Sequence, residues 1–267
     1  MKTKSLITKI SRKYPKKIAE NYDHPGLQVS KFKEDTNCVL ICLDFDEDVL
    51  NYILENHLEQ KLDLIITHHP FIFGKKKEVF EEDPIKERVY HKLEELELPI
   101  FSLHTNFDNA ENGMNDLLAE KLGLQNIRKL CLDNAARGGD LEKEMNVKDF
   151  VNYALEKLDV DYGLLINKGS DTIKSVALVG GSGWRRYKAC QLESYDIFIS
   201  SDMPHHARRD VVANRYNYLD IPHEVEQAFI NYFKKMLLSF DSNIEVITVF
   251  QEEMPLVLCN KNSCKYQ

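Results

Sequence analysis

The chain has 267 residues, 43% of them hydrophobic and 29% charged, the composition of a globular protein long enough for one large or two ordinary domains. Its formal net charge of −8 argues against a general nucleic-acid binder, whose affinity rests on neutralising phosphates with a basic surface. Six scattered cysteines with no CxxC pair read as reduced thiols, and no apolar run has membrane-spanning or signal-peptide character, so a cytoplasmic protein is expected.

Residues 1–20 set Leu6, Ile7, Ile10 and Ile18 among lysines, an amphipathic helix broken at Pro15, and Asp23 to Val29 reads as a turn. Cys38 to Leu43 is an apolar run of buried-strand length. Asp46 or Asp48 then caps a helix with Val49, Leu50 and Ile53 on its inner face. Leu62 to Thr67 forms a second strand ending in His68-His69-Pro70. Residues 85–96 form a helix, Leu98 to Leu103 a third strand ending in His104, and Asn115 to Leu122 a helix stopped by Gly123. Alternation of strand and helix is the pattern of a mostly parallel sheet.

The polar stretch Asp133 to Asp140 marks a boundary between an N-terminal α/β lobe over residues 1–132 and a second over 133–267. In the second lobe a helix covers residues 147–158, and a strand, Ser175 to Val179, runs into Gly180-Gly181-Ser182-Gly183. Tyr195 to Ser200 is a strand ending near Asp202, and Val225 to Leu238 is a long helix. A closing hairpin of Glu245 to Phe250 and Leu256 to Leu258 is placed to pack back on the first lobe. The fold class expected is a two-lobed α/β protein with mostly parallel or mixed sheets.

Candidate ligands collect where strands end: His68 and His69, then His104 and Asp108, then Asp202, His205 and His206, and finally His223 and Glu226. In a parallel α/β sheet the loops past the strands' carboxyl ends converge on one crevice. Adjacent histidines leaving a strand point in different directions and serve two metals more readily than they chelate one; the alternative is a capping or surface pair. Asp108 offers a carboxylate able to bridge two cations, or else caps the next turn. His223 and Glu226, three apart at a helix start, share one face. Imidazole suits zinc, iron, nickel or copper, and carboxylate adds manganese and magnesium. Gly181, Ser182 and Gly183, followed by Arg185, have the look of an anion or phosphate cradle, with a tight turn the equal alternative. His24, His57 and His91 are read as structural.

Several blocks together resemble the Nif-three-like (NGG-one-interacting-factor-three-like) family, also named GTP cyclohydrolase I type-two homologues. They are Tyr22-Asp23-His24-Pro25-Gly26-Leu27-Gln28-Val29, Asp63 to Pro70, His104-Thr105-Asn106-Phe107-Asp108, Gly113 to Gly123, Ala136 to Leu141, Gly180 to Gly183, Ser201-Asp202 with His206, and His223 with Glu226. The resemblance implies two α/β lobes with a dinuclear metal site between them, and subunits in a hexameric ring. It implies the ligands His68, His69, Asp108, His223 and Glu226, with His104 and His206 beside them to orient the site. Some members carry the last glutamate one position later, where this chain has Gln227. His24 and Trp184-Arg185 depart from the family's pattern, and the inserted domain of longer members is absent.

The function expected is a metal-dependent, hydrolase-like enzyme acting on C–N bonds or phosphoesters. Two divalent ions (zinc, iron, manganese, nickel or magnesium) would polarise the substrate and activate water, and a nucleotide or phosphorylated small molecule is the expected partner. The alternative is a non-catalytic metal-binding ring that regulates or binds a partner.

Overall fold

The computed structural model describes residues 1–250 together with Pro255, Val257 and Leu258. Its first helix, α1 (Thr3–Lys13), buries Leu6 and Ile10 and stops before Pro15, which opens a 3₁₀ turn over Lys16–Ile18. There follow β1 (Gly26–Val29), β2 (Cys38–Cys42), α2 (Glu47–Glu55), β3 (Leu64–Thr67), α3 (Lys76–Glu82), α4 (Pro84–Glu95) and β4 (Ile100–Ser102). Asp46 is the α2 cap, its carboxylate accepting from the Val49 amide at 3.0 Å, and Val49, Leu50 and Ile53 face inward as their spacing requires. Every residue of β2, β3 and β4 is buried, which is why these segments read as continuous apolar runs.

The short α5 (Thr105–Asp108) and α6 (Met114–Lys121) lead into the second sheet through β5 (Gln125–Lys129) and β6 (Arg137–Asn146). Next come α7 (Val147–Leu158), β7 (Leu164–Ile166), β8 (Thr172–Leu178), α8 (Tyr187–Leu192), β9 (Ile197–Ser200), α9 (His205–Ala213) and β10 (Asn217–Asp220). A 3₁₀ turn over His223–Gln227, α10 (Ala228–Phe240) and β11 (Glu245–Thr248) complete the order.

Two mixed sheets result, with strand orders β1-β4-β3-β2-β11 and β5-β6-β8-β9-β10-β7. In the first, β4, β3, β2 and β11 run parallel and β1 adds an antiparallel edge. In the second, only β8–β9 and β9–β10 are parallel.

Several sequence expectations need correcting. Asp23 to Val29 is not all turn, because Gly26–Val29 pairs with β4. The boundary expected at Asp133 to Asp140 overlaps the start of β6, whose Arg137 is fully buried against Asp116 and the Ala110 and Ala135 carbonyls. The long helix begins at Ala228 rather than Val225, since Pro222 opens a 3₁₀ turn first. The strand expected over Glu245 to Phe250 is present, but it pairs in parallel with β2. Of its proposed hairpin partner, Leu256 lies outside the described residues, and Val257 and Leu258 are exposed and in no strand.

Candidate metal centre

The His-His-Pro turn is held by the sheet that launches it. The backbone amides of His68 and His69 both donate to the Leu43 carbonyl at 3.1 Å, tying the turn to the end of β2. The Thr67 hydroxyl bonds to the His69 carbonyl and the Ser102 hydroxyl, each at 2.7 Å, tying it to β4. The two imidazoles then diverge. His68 is buried, and its Nδ1 donates to the Leu103 carbonyl at 2.7 Å. His69 Nδ1 lies 2.8 Å from Asp44 Oδ2.

The opposite wall comes from the second half of the chain. In a 3₁₀ turn, side chains three apart eclipse one another, so His223 and Glu226 stack on one side. Asp202, at φ +58° just past β9, bonds His223 Nδ1 at 2.6 Å and turns the ring inward. Glu226 Oε2 sits 3.0 Å from His69 Nε2, 3.0 Å from His223 Nε2 and 3.5 Å from His68 Nε2. Glu226 is buried while Gln227 is partly exposed, so the His-x2-Glu spacing is the one that reaches the cluster.

Asp108 arrives from α5, with Oδ1 at 3.6 Å from His68 Nε2. His104 joins the same group, its ring centroid 5.6 Å from that of His68 and its Nδ1 3.1 Å from Asp23 Oδ1. Asp23 is in turn held by the amide and hydroxyl of Thr105.

Charges are matched around this cluster. Burial opposes protonation of His69, yet its bonds to Asp44 and Glu226 outweigh burial and raise it to about 10. The same balance of burial against Asp202 and Glu226 lifts His223 to about 11. Burial pushes His68 down, and burial together with the Glu226 charge pushes Asp108 well up. Glu226 falls well below the usual carboxylate range because the surrounding imidazoles outweigh its burial.

The donor set fits a cation. Since a carbonyl oxygen can only accept, His68 Nδ1 carries the proton of the neutral ring, leaving a lone pair on Nε2. That lone pair faces carboxylate oxygens of Asp108 and Glu226, and neither His68 Nε2 nor Asp108 Oδ1 has a hydrogen-bond partner although both are buried. Acceptors converging in a buried space need a proton or a cation between them. Donor atoms of His68, His69 and Glu226 lie within 4.8 Å of one another, as ligands of an ion must. The second nitrogen of each histidine is fixed by Leu103, Asp44 or Asp202, the support that orients metal-binding imidazoles.

His68, His69, Asp108, His223 and Glu226 are thus brought together, with His104 beside them. His206 is not with them: it is exposed on α9, its ring 5.3 Å from that of Trp184. His205 is exposed as well. The glycine run contributes a floor. A Cβ at Gly181 would lie 2.6 Å from Glu226 Oε1 and 3.0 Å from His223 Nε2, and one at Gly183 would meet Val179. Ser182 lines the neighbouring cavity, whereas Arg185 is exposed and lies over the Trp184 ring. Asp44 and Asp23 escaped sequence reasoning as histidine partners; a carboxylate just past the buried strand β2 was the available signal for Asp44.

A model of the family described as Duf34/NIF3 (NGG1p interacting factor 3) matches residues 1–255. The chain belongs to the Duf34/NIF3 family. A Clostridium perfringens protein named GTP cyclohydrolase 1 type 2 homolog is 29% identical over 263 residues, which cover 96% of this chain and 98% of the relative. A Ureaplasma parvum protein of the same name is 26% identical, over 91% of this chain and 92% of that relative. Among solved structures, a Bacillus cereus protein related to NIF3 superposes with a TM-score of 0.85 at 20% identity, covering 97% of this chain and 99% of its own. A Staphylococcus aureus hypothetical protein gives 0.83 at 22% identity, covering 96% and 99%. These structural likenesses establish the NIF3 fold for both sheets of this chain.

Proposed function

We propose that this Duf34/NIF3 chain holds two divalent cations and uses them in hydrolysis. The observation that carries the reading is the His68 Nε2 lone pair, buried and facing the carboxylates of Asp108 and Glu226 with no donor between. Two groupings support a pair of ions: His68 with Asp108 on one side, His69 with His223 on the other, and Glu226 reaching both. Mixed nitrogen and oxygen donors suit zinc, iron, manganese or nickel. Cations bound there supply Lewis acidity and lower the pKa of bound water toward neutrality. The chain's own part is to orient the imidazoles through Leu103, Asp44 and Asp202 and to present Asp108 and Glu226 as carboxylates that offset the added charge. The relatives' name makes a GTP-like C–N or phosphoester bond the first substrate to try. Assembly into a hexameric ring belongs to the same reading and is measured by light scattering.

Elemental analysis of protein from its own source is expected to give two ions per chain. His68→Ala and Glu226→Gln are expected to lose at least one of them while keeping the wild-type circular dichroism spectrum. Less than one ion in the wild type refutes the two-metal reading. With metal bound, turnover of nucleotides, phosphoesters or cyclic amides that disappears in His68→Ala supports the hydrolase; metal without any turnover favours a non-catalytic metal-binding ring.

A further inference from the structure

The metal cluster forms one wall of a cavity of about 230 Å³. That is smaller than the ~300–1,000 Å³ usual for drug-sized ligands, so it admits a ring-sized fragment and leaves the rest of anything larger in solvent. Its other walls differ in character. At the mouth stand Tyr22 and Phe73, 62% and 54% exposed, with ring centroids 6.3 Å apart at 71°. Phe73 also meets the His104 ring edge-to-face at 5.9 Å, so the aromatic surface runs continuously from the mouth to the cluster. Large aromatic side chains left half in water beside a concave site mark a contact surface, and an edge-to-face pair offers a flat ring one face and one edge.

The guanidinium lining the cavity is already engaged. Arg186 donates to Glu20 Oε1 at 2.8 Å and to Asp133 Oδ2, so its charge is offset by two carboxylates before any ligand arrives. The glycine turn is packed against the Glu226 carboxylate, so the space over Gly181 is filled by that side chain rather than open to an anion.

We propose that this cavity recognises a small planar heterocycle without a phosphate group, its ring on Tyr22 and Phe73 and a ring oxygen or nitrogen turned toward the metals. The assignment rests on the metal reading above. It assigns specificity to Tyr22 and Phe73, which are not among the ligands, and removes Arg185 and the glycine turn as a phosphate site.

Calorimetric titration of hypoxanthine, 2-pyridone, GTP and inorganic phosphate into metal-loaded protein tests it, with metal content and assembly state measured on every sample. Hypoxanthine and 2-pyridone are expected to bind at least as tightly as GTP, and phosphate alone weakly. Tyr22→Ala and Phe73→Ala are each expected to weaken ring binding about tenfold, the scale of one aromatic stacking contact, with metal content unchanged. A Phe73→Tyr variant, which keeps the ring, is expected to retain binding. The proposal is overturned if phosphate or the triphosphate dominates affinity. It is also overturned if both alanine variants bind the rings as the wild type does, or if they alter assembly and leave ring binding intact, which would make the aromatic pair an interface between copies. A wild type without metal refutes the earlier reading instead; a metal-loaded protein that ignores every ring refutes this one alone.

Discussion

Gly181 holds a left-handed conformation, φ +64°, and its carbonyl accepts from the Gly183 and Ser201 amides. Two constraints meet there, since an added Cβ would be strained by that φ and would also press on Glu226 Oε1 at 2.6 Å. A left-handed backbone costs an ordinary residue roughly 1–2 kcal/mol. Gly181→Ala is therefore expected to lower stability by about that amount and to displace the Glu226 carboxylate. Elemental analysis would then find fewer ions per chain, while thermal unfolding stays cooperative. A variant with full metal content would mean that the Glu226 side chain can relax without leaving the ions. The same residue explains why a glycine run follows β8: the backbone must pass within contact distance of two ligand side chains.

Strand β2 delivers Leu43 and Asp44 to the site, and its other end is fastened by Asp63, whose carboxylate accepts from the Asn37 and Cys38 amides at 2.8 and 3.1 Å. Cys38, buried at that end, has its thiol pushed up to about 11, first by burial and then by the Glu245 carboxylate of β11. The unfolded thiol ionises near 9 and the folded one near 11, so the folded chain binds its proton more tightly. That contribution is full below pH 9 and is lost as pH rises toward 11. At pH 10 this linkage amounts to about 1 kcal/mol. Urea titrations at pH 8 and pH 10 are expected to show the wild type losing that much more stability than Cys38→Ala. Equal losses would place the alkaline sensitivity elsewhere. Near neutral pH, among Cys38, Cys42, Cys131 and Cys190, only the exposed Cys131 is expected to label rapidly with a thiol reagent, as peptide mapping would report.

At the scale of the molecule, one apolar cluster joins Val39, Ile41, Leu64 and Ile66 of the first sheet to Val176, Leu178, Ile197 and Ile199 of the second and takes in Phe229, Ile230, Phe233 and Leu237 of α10. Phe229 of α10 is buried in this cluster and packs its ring 5.3 Å from both Phe107 and the His68 imidazole. β11 then crosses back to lie beside β2, so the chain's last described strand completes its first sheet. Phe229→Ala is expected to cost about 3–5 kcal/mol, typical of a large core truncation, and to shift a single unfolding transition that carries both halves. Two separated transitions by calorimetry would show that the sheets unfold independently.

Local chemistry decided much of this protein before folding is considered. Apolar runs in β2, β3 and β4 declared buried strands, Asp46 or Asp48 declared a cap, and His68-His69-Pro70 with His104 and Asp108 declared a ligand cluster at strand ends. Those signals are written within a few residues, at the periods of helix and strand. β1 and β6 were not legible, because a four-residue edge strand and a strand opening on Arg137-Gly138-Gly139 lack an apolar pattern and depend on partners distant in sequence. The structure turns the expected Glu226, not Gln227, into the cluster, since a 3₁₀ turn eclipses residues three apart while an α-helix would have divided the choice between three and four. It alone excluded His206, turned Arg186 rather than Arg185 toward the cavity, and set Asp44 behind His69. Residue types name the chemistry a site can perform; which of them meet is settled by the direction each strand and turn takes when the core closes.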